Sequence, residues 1–422
     1  MELMKKQQLT SLDRRLSLFL QDLLEPMGRK ERRHWARVYL KGLLLDGERK
    51  SIEPIAERIP GADVQALRQF VGQSPWAVHE IQERLALKMI DLLSDAEVWI
   101  IDETSFPKAG KHSVGVARQY CGALGKIANC QIAVTLHWSS AEASCPLGWK
   151  LYIPREWFDD PDRAANAKIP PEVEYQGKSE LAMDLLDQTI SWGVPTRPVV
   201  ADSLYGNEFG FREQLRSRSL SYAVQVEPST VVWDQDPNLE LPPPNKKGRS
   251  RRYPPLESLA QARNLLSVAK DLSESEWQSV EWREGTRGPQ KSRFGLIQVW
   301  AAHGWRKQNH PERVLEWLLI EWPENEETPT KYWLAWFGLQ KIGTRQIVRI
   351  AKARWRIELD YREMKEELGL DHFEGRQWLG WHHHVTLVTL AYAFLRAEQV
   401  RIKKNFGPDL ASDQEVAPGC ID

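Results

Sequence analysis

Apolar residues repeat with two different spacings along the chain, and the spacing changes near residue 96. From residue 11 to 95, apolar and charged positions follow the spacing of amphipathic helices, and one apolar stripe is formed by Leu12, Leu16, Phe19, Leu20 and Leu23. From 96 to about 225, short apolar runs end at turn residues, which is typical of buried strands. The pattern therefore predicts a helical N-terminal part followed by an α/β part.

Four apolar runs in the α/β part predict strands, at residues 98–101, 129–138, 149–153 and 199–201. Because the first three runs follow one another through loops, we expect an antiparallel meander. Helical periodicity then covers residues 178–192 and leads to the fourth run. We therefore expect a sheet with at least one helix packed beside it.

The first and the fourth run each end in an aspartate, Asp102 and Asp202. If the two strands are neighbours in one sheet, both carboxylates project from the same edge, where a hard divalent cation could be held. The alternative is that Asp102 and Glu103 only cap the end of a strand. Since side chains alternate along a strand, Glu103 faces the opposite side and is not expected to share an ion with Asp102.

A third carboxylate lies in a predicted helix over residues 350–369, which ends at a glycine. At about 100 degrees per residue, one narrow arc of this helix carries four charged side chains: Arg354, Glu358, Arg362 and Lys365. One helical face thus presents a carboxylate between cations. The alternative is a ladder of salt bridges on a solvated face.

Residues 51–70 have the outline of a helix-turn-helix, with a turn at Pro60 and Gly61 and a second helix that begins at Asp63. The second helix of such a pair could enter a DNA major groove. Most helix pairs joined by a glycine turn are packing units, so this reading depends on the rest of the chain. A basic segment, residues 29–37, precedes the pair.

Residues 226–330 interrupt the α/β pattern with a proline-rich segment, followed by strand-like segments rich in tryptophan. The proline-rich segment carries five cations and no acid over residues 241–255, namely Lys246, Lys247, Arg249, Arg251 and Arg252. Such a run attracts a phosphate backbone, although it is usually a solvated loop. Most of the tryptophans are expected to pack in the core or at its edge. Trp305, beside Arg306 and Lys307, is our candidate for stacking on an unpaired base.

The 422 residues predict about two to four domains, and the net charge of −1 argues mildly against nucleic-acid binding by the chain as a whole. Any such binding must depend on local patches. The four cysteines have no zinc-site spacing, which favours a reduced setting. No apolar window is long enough to span a bilayer, and the N-terminus lacks the apolar region of a signal peptide, so we expect no membrane partner.

The order Asp102, Asp202, Glu358, with a β-rich insertion before the glutamate helix, resembles the DDE transposases of bacterial insertion sequences. One branch of that family carries the signature Tyr-x-x-Arg-x-x-x-Glu-x-x-x-x-x-x-Lys. Arg354, Glu358 and Lys365 stand at its Arg, Glu and Lys positions, whereas its Tyr position is Ala351. The resemblance covers roughly residues 95–400, including the segment from Leu370 to Val385.

The resemblance implies an α/β, RNase H-like mixed sheet flanked by helices, with Asp102 on the first strand and Asp202 just past the fourth. It also implies two Mg²⁺ (or Mn²⁺) ions held by the three carboxylates, which would serve DNA cleavage and strand transfer by cut and paste. Arg354, Arg362 and Lys365 would then contact DNA phosphates, as would the five cations of residues 241–255.

We expect five parts: a helical DNA-binding domain (1–95), a first part of the catalytic core (96–225), a β-rich insertion (226–330), a second part of the core (331–402) and a mobile tail (403–422). The expected partners are double-stranded DNA, as transposon ends and target, and a second copy of the chain in a homodimer on DNA. The expected location is the bacterial cytoplasm, in association with the nucleoid.

Other interpretations stay open. The chain could be a domesticated relative that binds DNA without cutting it, or an RNase H-like nuclease that acts on no transposon. The consecutive residues His382, His383 and His384 point about 100 degrees apart on a helix, so they cannot all ligate one zinc ion, and packing or phosphate contact is favoured. Tyr205 and Tyr361 could serve as covalent nucleophiles, but the three carboxylates give the simpler explanation.

Overall fold

The structure is a computed structural model that describes residues 2–140, 143–237, 261–285, 288–303 and 314–406. The chain folds into two compact units. Unit one combines Met1–Ala96, Ile101–Pro195 and Trp355–Asp422, and unit two combines Glu97–Ile100 with Thr196–Arg354. Neither unit is continuous in sequence, and the change from one to the other occurs inside the strand that leads to Asp102.

The described helices are α1 (Glu2–Leu23), α2 (Lys30–Leu44), α3 (Ile52–Arg58), α4 (Val64–Gln73), α5 (Val78–Leu92), α6 (Pro161–Asn166), α7 (Lys178–Ser191), α8 (Ser203–Gly206), α9 (Phe209–Ser217), α10 (Leu265–Asp271), α11 (Thr344–Lys352), α12 (Trp355–Glu366) and α13 (Trp378–Phe406). The described strands are β1 (Val98–Pro107), β2 (Ala117–Cys121), β3 (Lys126–Ser139), β4 (Ser144–Tyr152), β5 (Val199–Ala201), β6 (Tyr222–Val226), β7 (Val231–Trp233), β8 (Arg263–Asn264), β9 (Trp277–Gly285), β10 (Gly288–Ala301), β11 (Leu315–Trp322) and β12 (Lys331–Trp336).

The N-terminal helices of unit one pack around the long helix α13, which contacts α2, α4 and α5. The apolar stripe predicted on α1 is buried at Leu16, Leu20 and Leu23, as the hydrophobic effect requires. The predicted helix-turn-helix is present as α3 and α4. Asp63 caps α4 by accepting a hydrogen bond from the amide of Ala66 at 2.7 Å.

The sheet of unit one is centred on β3, which pairs antiparallel with β2 on one side and with β4 on the other. This confirms the predicted pairing of the runs at 129–138 and 149–153, to which the structure adds the short strand β2. The part of β1 that belongs to unit one lies beside β3, and α7 packs on β3 and β4.

In unit two, the first residues of β1 pair in parallel with β5, with Trp99 opposite Val199 and Ile100 opposite Val200. Strand β5 pairs in parallel with β6, and the sheet continues through antiparallel pairs as β6-β12-β11-β10. Strand β10 also pairs with β7 and β9. The predicted α/β fold class with a mixed sheet flanked by helices is thus confirmed, because unit two contains parallel as well as antiparallel strand pairs.

The tryptophans of the β-rich segment mainly pack within unit two, as expected. The rings of Trp277 and Trp322 meet edge to face, with their centroids 5.5 Å apart. The guanidinium of Arg293 lies 5.8 Å from the centroid of Trp277 and 5.6 Å from that of Trp322. Over the residues that the structure describes, no helix combines the length and apolarity that crossing a bilayer requires.

Candidate nuclease site

The prediction that the strand ends at Asp102 was wrong, because β1 continues to Pro107. Asp102 lies within β1 and is buried, with only 6 % of its surface exposed. Its Oδ1 atom accepts a hydrogen bond from the backbone amide of Glu103 at 2.8 Å. The side chain of Glu103 is engaged elsewhere, in an ion pair with Lys178 on α7 at 2.6 Å. The two neighbouring carboxylates therefore have different surroundings, as the alternation of the strand predicts.

Asp202 is a helix cap that follows β5. Its side chain accepts a hydrogen bond from the amide of Leu204 at 3.0 Å and so begins α8, and it is half-buried. Asp102 comes two residues after Ile100, and Asp202 comes two residues after Val200. Because Ile100 and Val200 are registered partners in the parallel pair, each aspartate has the same offset along its own strand.

The short helix α8 that follows Asp202 is held by a buried charge network in unit two. Arg212, fully buried on α9, donates to the carbonyl of Gly206 and pairs with Glu316 at 3.1 Å. The hydroxyl of Tyr222 donates to the same carboxylate at 2.6 Å. A Cβ atom at Gly206 would lie 1.9 Å from the carbonyl oxygen of Gln225, so only glycine fits between α8 and β6.

Glu358 lies in the first turn of α12, with its side chain exposed. One turn later on the same helix, Tyr361 is buried and its hydroxyl bonds that of Thr135 on β3. Burial raises the pKa of Tyr361 well above its usual value, and the negative charge of Asp102 raises that pKa further. Within unit one, the helix that carries Glu358 therefore packs close to the carboxylate of Asp102.

Lys365 attaches the C-terminal end of α12 to β1. Its ammonium donates to the carbonyl of Ser105 on β1 at 3.0 Å, and burial lowers its pKa. Arg362 is exposed on the same helix, whereas Arg354 is half-buried at the end of unit two. The signature residues Glu358 and Lys365 thus both belong to a helix that is tied directly to the strand of Asp102.

The buried side of α12 carries a polar network centred on Asp360, which is 1 % exposed. Its carboxylate accepts hydrogen bonds from His137 Nδ1 and from the hydroxyl of Tyr392, both at 2.8 Å, and from Ser144. Burial alone would raise the pKa of Asp360, but the hydrogen bonds and charge of His137 and the bond from Ser144 outweigh it and keep that pKa below its usual value. The network joins α12 to β3, β4 and α13.

Comparison with known families settles the class of protein. A profile described as "DDE superfamily endonuclease" matches residues 22–289, which is more than half of the chain. The chain belongs to this family of DDE superfamily endonucleases. The match includes Asp102 and Asp202, and Glu358 lies beyond its end.

The chain is also similar to the probable transposase for insertion sequence element IS701 of Microchaete diplosiphon, with 32 % identity over 193 residues. The aligned part is 45 % of this chain and 48 % of the relative, so the chain spans about half the length of that curated relative. A cryo-EM structure of the piggyBac transposase synaptic complex with hairpin DNA resembles it with a TM-score of 0.43 and 10 % identity, over 92 % of this chain and 68 % of that one.

Three consecutive histidines of the DDE endonuclease are packing residues. His382 faces the carbonyl of Trp378 at 2.9 Å, and His383 bonds the carbonyl of Val71 at 2.8 Å and stacks on Trp76. His384 bonds the hydroxyl of Tyr39 at 2.9 Å through Nδ1 and a backbone carbonyl through Nε2. Burial lowers the pKa of His384 to about 3, so the ring is neutral at neutral pH. Of the two predicted roles, packing or phosphate contact, these contacts favour packing.

Several predicted DNA contacts lie outside the described residues, namely Lys246, Lys247, Arg249, Arg251, Arg252 and Trp305. Among the residues that the structure does describe, no three His, Cys, Asp or Glu side chains are grouped so as to hold a metal ion. Tyr205 and Tyr361 are both buried, which disfavours them as nucleophiles toward DNA.

Sequence reasoning missed Asp360 and its partners. Only the face of this helix that carries Glu358 was considered from the sequence. A signal was available, because Asp360 lies about 200 degrees around the helix from Glu358 and therefore on the opposite face. The partner His137 could not be found in this way, since it is 223 residues distant in sequence.

Proposed function

We propose that this chain is a DNA transposase that binds transposon ends, cuts them and joins them to a target. The observation that carries the proposal is the packing of α12, with Glu358 in its first turn, against the strand that presents Asp102. Membership of the DDE endonucleases and the likeness to a probable insertion-sequence transposase support the same reaction class. Asp102 and Asp202 each lie two residues after a registered partner of the parallel strand pair, Ile100 and Val200. This equal spacing supports Asp202 as the second carboxylate of the site.

Asp102, Asp202 and Glu358 would hold the metal ions, two Mg²⁺ or Mn²⁺ per site. Their chemistry fits, because these hard cations take carboxylate oxygens. When bound, such a pair of ions activates the attacking hydroxyl and stabilises the leaving oxygen of a phosphodiester. The exposed position of Glu358 suits a ligand that must also meet DNA, whereas Asp102 is held rigidly by its strand.

Cations near these carboxylates would serve the DNA. Arg362 is exposed and can bind a phosphate, and Arg354 and Lys365 would neutralise charge that develops on the phosphodiester. Lys365 would do so while it anchors α12. We further propose DNA binding by the α3–α4 pair, a homodimer on DNA, a location in the cytoplasm with the nucleoid, and the five-part domain division predicted from the sequence.

The test is divalent-metal-dependent cleavage of a plasmid that carries the DNA flanking the encoding gene. Wild-type protein should nick at the ends and join them to a second DNA, and Asp102→Asn should lose at least about a hundredfold in rate, which corresponds to roughly 3 kcal/mol. Glu103→Gln is the matched control, because Glu103 is the neighbouring carboxylate and pairs with Lys178. It should keep most of the activity.

The outcomes separate the alternatives. Protein that binds the ends but never cuts them with any divalent metal would support the domesticated, DNA-binding reading. Cleavage of branched or hybrid substrates without any joining would support a nuclease that acts on no transposon.

A further inference from the structure

A groove of about 1080 Å³ opens in unit one, next to the loop that leaves β1. Its walls come from that loop, from the start of β2, from α6 and from the segment before α13. The basic lining residues come from several of these elements, namely Lys111, His112, Arg118, Arg163 and Arg376. Lys111 follows Asp102 by only nine residues, at the end of the same strand and loop.

The acids of the groove are largely committed to local structure. Glu156 pairs with Arg163 at 3.0 Å, and Asp160 caps α6 by accepting a hydrogen bond from the amide of Arg163 at 3.0 Å. Asp162 occupies the first turn of α6, where a negative charge is favoured by the helix dipole. These acids therefore neutralise Arg163 and the helix end more than they neutralise the opposite wall.

The cations of the opposite wall are exposed, and among the described residues Lys111, Arg118 and Arg376 form no ion pair with an acidic side chain. An anion can bind them without first breaking a salt bridge. Two arginine forks and an ammonium, which come from three separate segments, offer several anion contacts in one groove, and a nucleic-acid backbone supplies several phosphates.

The wall that holds these cations is braced by hydrogen bonds. Asn129 on β3 donates to the carbonyls of Lys108 and Gly110, at 2.7 and 2.8 Å, and so fixes the loop that carries Lys111. The amide of Val114 donates to the carbonyl of Arg376 at 3.0 Å, which ties the segment before α13 to the same loop. The groove is therefore formed before any ligand arrives.

The β2–β3 hairpin continues the cationic wall with an apolar pair. Arg118 is registered opposite Asn129, and Tyr120 is registered opposite Ile127, so all four lie on one face of the hairpin. Tyr120 is 61 % exposed and Ile127 is 62 % exposed. Large apolar side chains that lie exposed together, next to cations, are typical of a binding surface.

We propose that this groove binds the sugar-phosphate backbone of the DNA that the enzyme cuts, and that Tyr120 packs against a base or sugar beyond it. The inference rests on the proposed function for the identity of the DNA. Lys111, Arg118 and Arg376 contact phosphates, and Tyr120 supplies a flat surface of the kind on which bases stack. The groove is lined by the loop that comes directly after β1, so DNA held there would lie next to the strand that carries Asp102.

The experiment measures the dissociation constant of the full chain for the flanking-end DNA at several salt concentrations, by fluorescence anisotropy in EDTA. The triple variant Lys111→Gln/Arg118→Gln/Arg376→Gln should bind more weakly, and its log-log salt slope should be smaller by about 2.7, or about 0.9 for each lost phosphate contact. Lys270→Gln, which removes an exposed cation from α10 in unit two, is the matched control and should change the slope by less than one contact.

A second pair of variants tests the hairpin. Tyr120→Ala should weaken binding at least fivefold, and Tyr120→Phe should restore it, because the phenyl ring keeps the stacking surface. An unchanged salt slope in the triple variant, or an equal decrease of the slope in Lys270→Gln, would overturn the assignment of the groove as a DNA-binding site, provided that circular dichroism shows the variants folded. Cutting is not required for this readout, so a wild-type protein that binds through the groove without ever cutting would refute the proposed function and leave the groove intact.

Discussion

Removal of the Asp360 carboxylate should destabilise unit one strongly. In Asp360→Ala, His137 Nδ1 and the hydroxyl of Ser144 lose their acceptor, and the hydroxyl of Tyr392 keeps only its bond to Glu363. Each unsatisfied buried donor costs about 1–3 kcal/mol. The costs do not simply add, because the cavity left by the side chain lets the hydroxyls rotate and can admit water.

The expected loss is about 3–5 kcal/mol in the free energy of unfolding, the range found when one member of a buried charged pair is removed. Asp360→Asn keeps one oxygen acceptor and nearly the same volume, so it should cost about half as much. The control is Asp91→Ala, which removes an exposed carboxylate from α5 and should stay within about 0.5 kcal/mol of wild type.

The assay is urea unfolding at pH 7, with the midpoint and slope measured for all four proteins. The proposed cutting activity gives a second readout. Because Asp360 is buried and fixes the helix of Glu358, Asp360→Asn should lower the proposed cutting rate at saturating DNA with little change in DNA affinity. An Asp360→Ala protein that unfolds within about 0.5 kcal/mol of wild type would refute the assignment of this network as the anchor of α12.

Two further predictions concern packing. Burial lowers the pKa of His384 to about 3, whereas the unfolded residue titrates near 6.5. The unfolded state therefore binds the additional proton as pH falls below 6.5, and this residue should remove up to about 1.4 kcal/mol of stability per pH unit. In His384→Gln, the stability measured by urea between pH 6.5 and 4 should fall less steeply, and identical slopes would contradict the burial argument. Gly206→Ala should cost several kcal/mol because its Cβ meets a backbone oxygen, whereas Gly72→Ala, whose Cβ meets nothing within 4 Å inside α4, should stabilise by about 0.5–1 kcal/mol. Melting temperatures that shift in the same direction for both would count against this account.

Local features of the fold were predictable wherever a short stretch of sequence decides them. The cap at Asp63 and the buried run that ends before Asp202 each follow from a few neighbouring residues, whereas the continuation of β1 beyond Asp102 to Pro107 was not predicted. The division of β1 at Ile100 was not predictable, because it depends on which distant strands pair with each half.

The candidate site also combines features that the sequence predicts with features that only the tertiary structure shows. Glu358 and Lys365 could be placed on one helical face from spacing alone, but the bond from Lys365 to the carbonyl of Ser105 joins residues 260 positions apart. The groove was only partly visible in sequence, since Lys111 lies in a loop whose basic character is evident. Arg376 comes from a segment more than 260 residues later, and only tertiary structure brings it to the same wall.

The dependence of the N-terminal helices on α13 has a consequence for the order of synthesis. His383 and His384 of α13 bond the carbonyl of Val71 and the hydroxyl of Tyr39, so α2 and α4 bury their apolar faces against a helix that is translated last among the described elements. About 300 residues separate α4 from α13, and at about 5–20 residues per second the ribosome needs roughly 15–60 s to deliver them. During that interval the nascent N-terminal helices lack their main packing partner. A fragment that ends before α13 would lack this packing partner permanently, and it should aggregate under conditions in which the full chain folds.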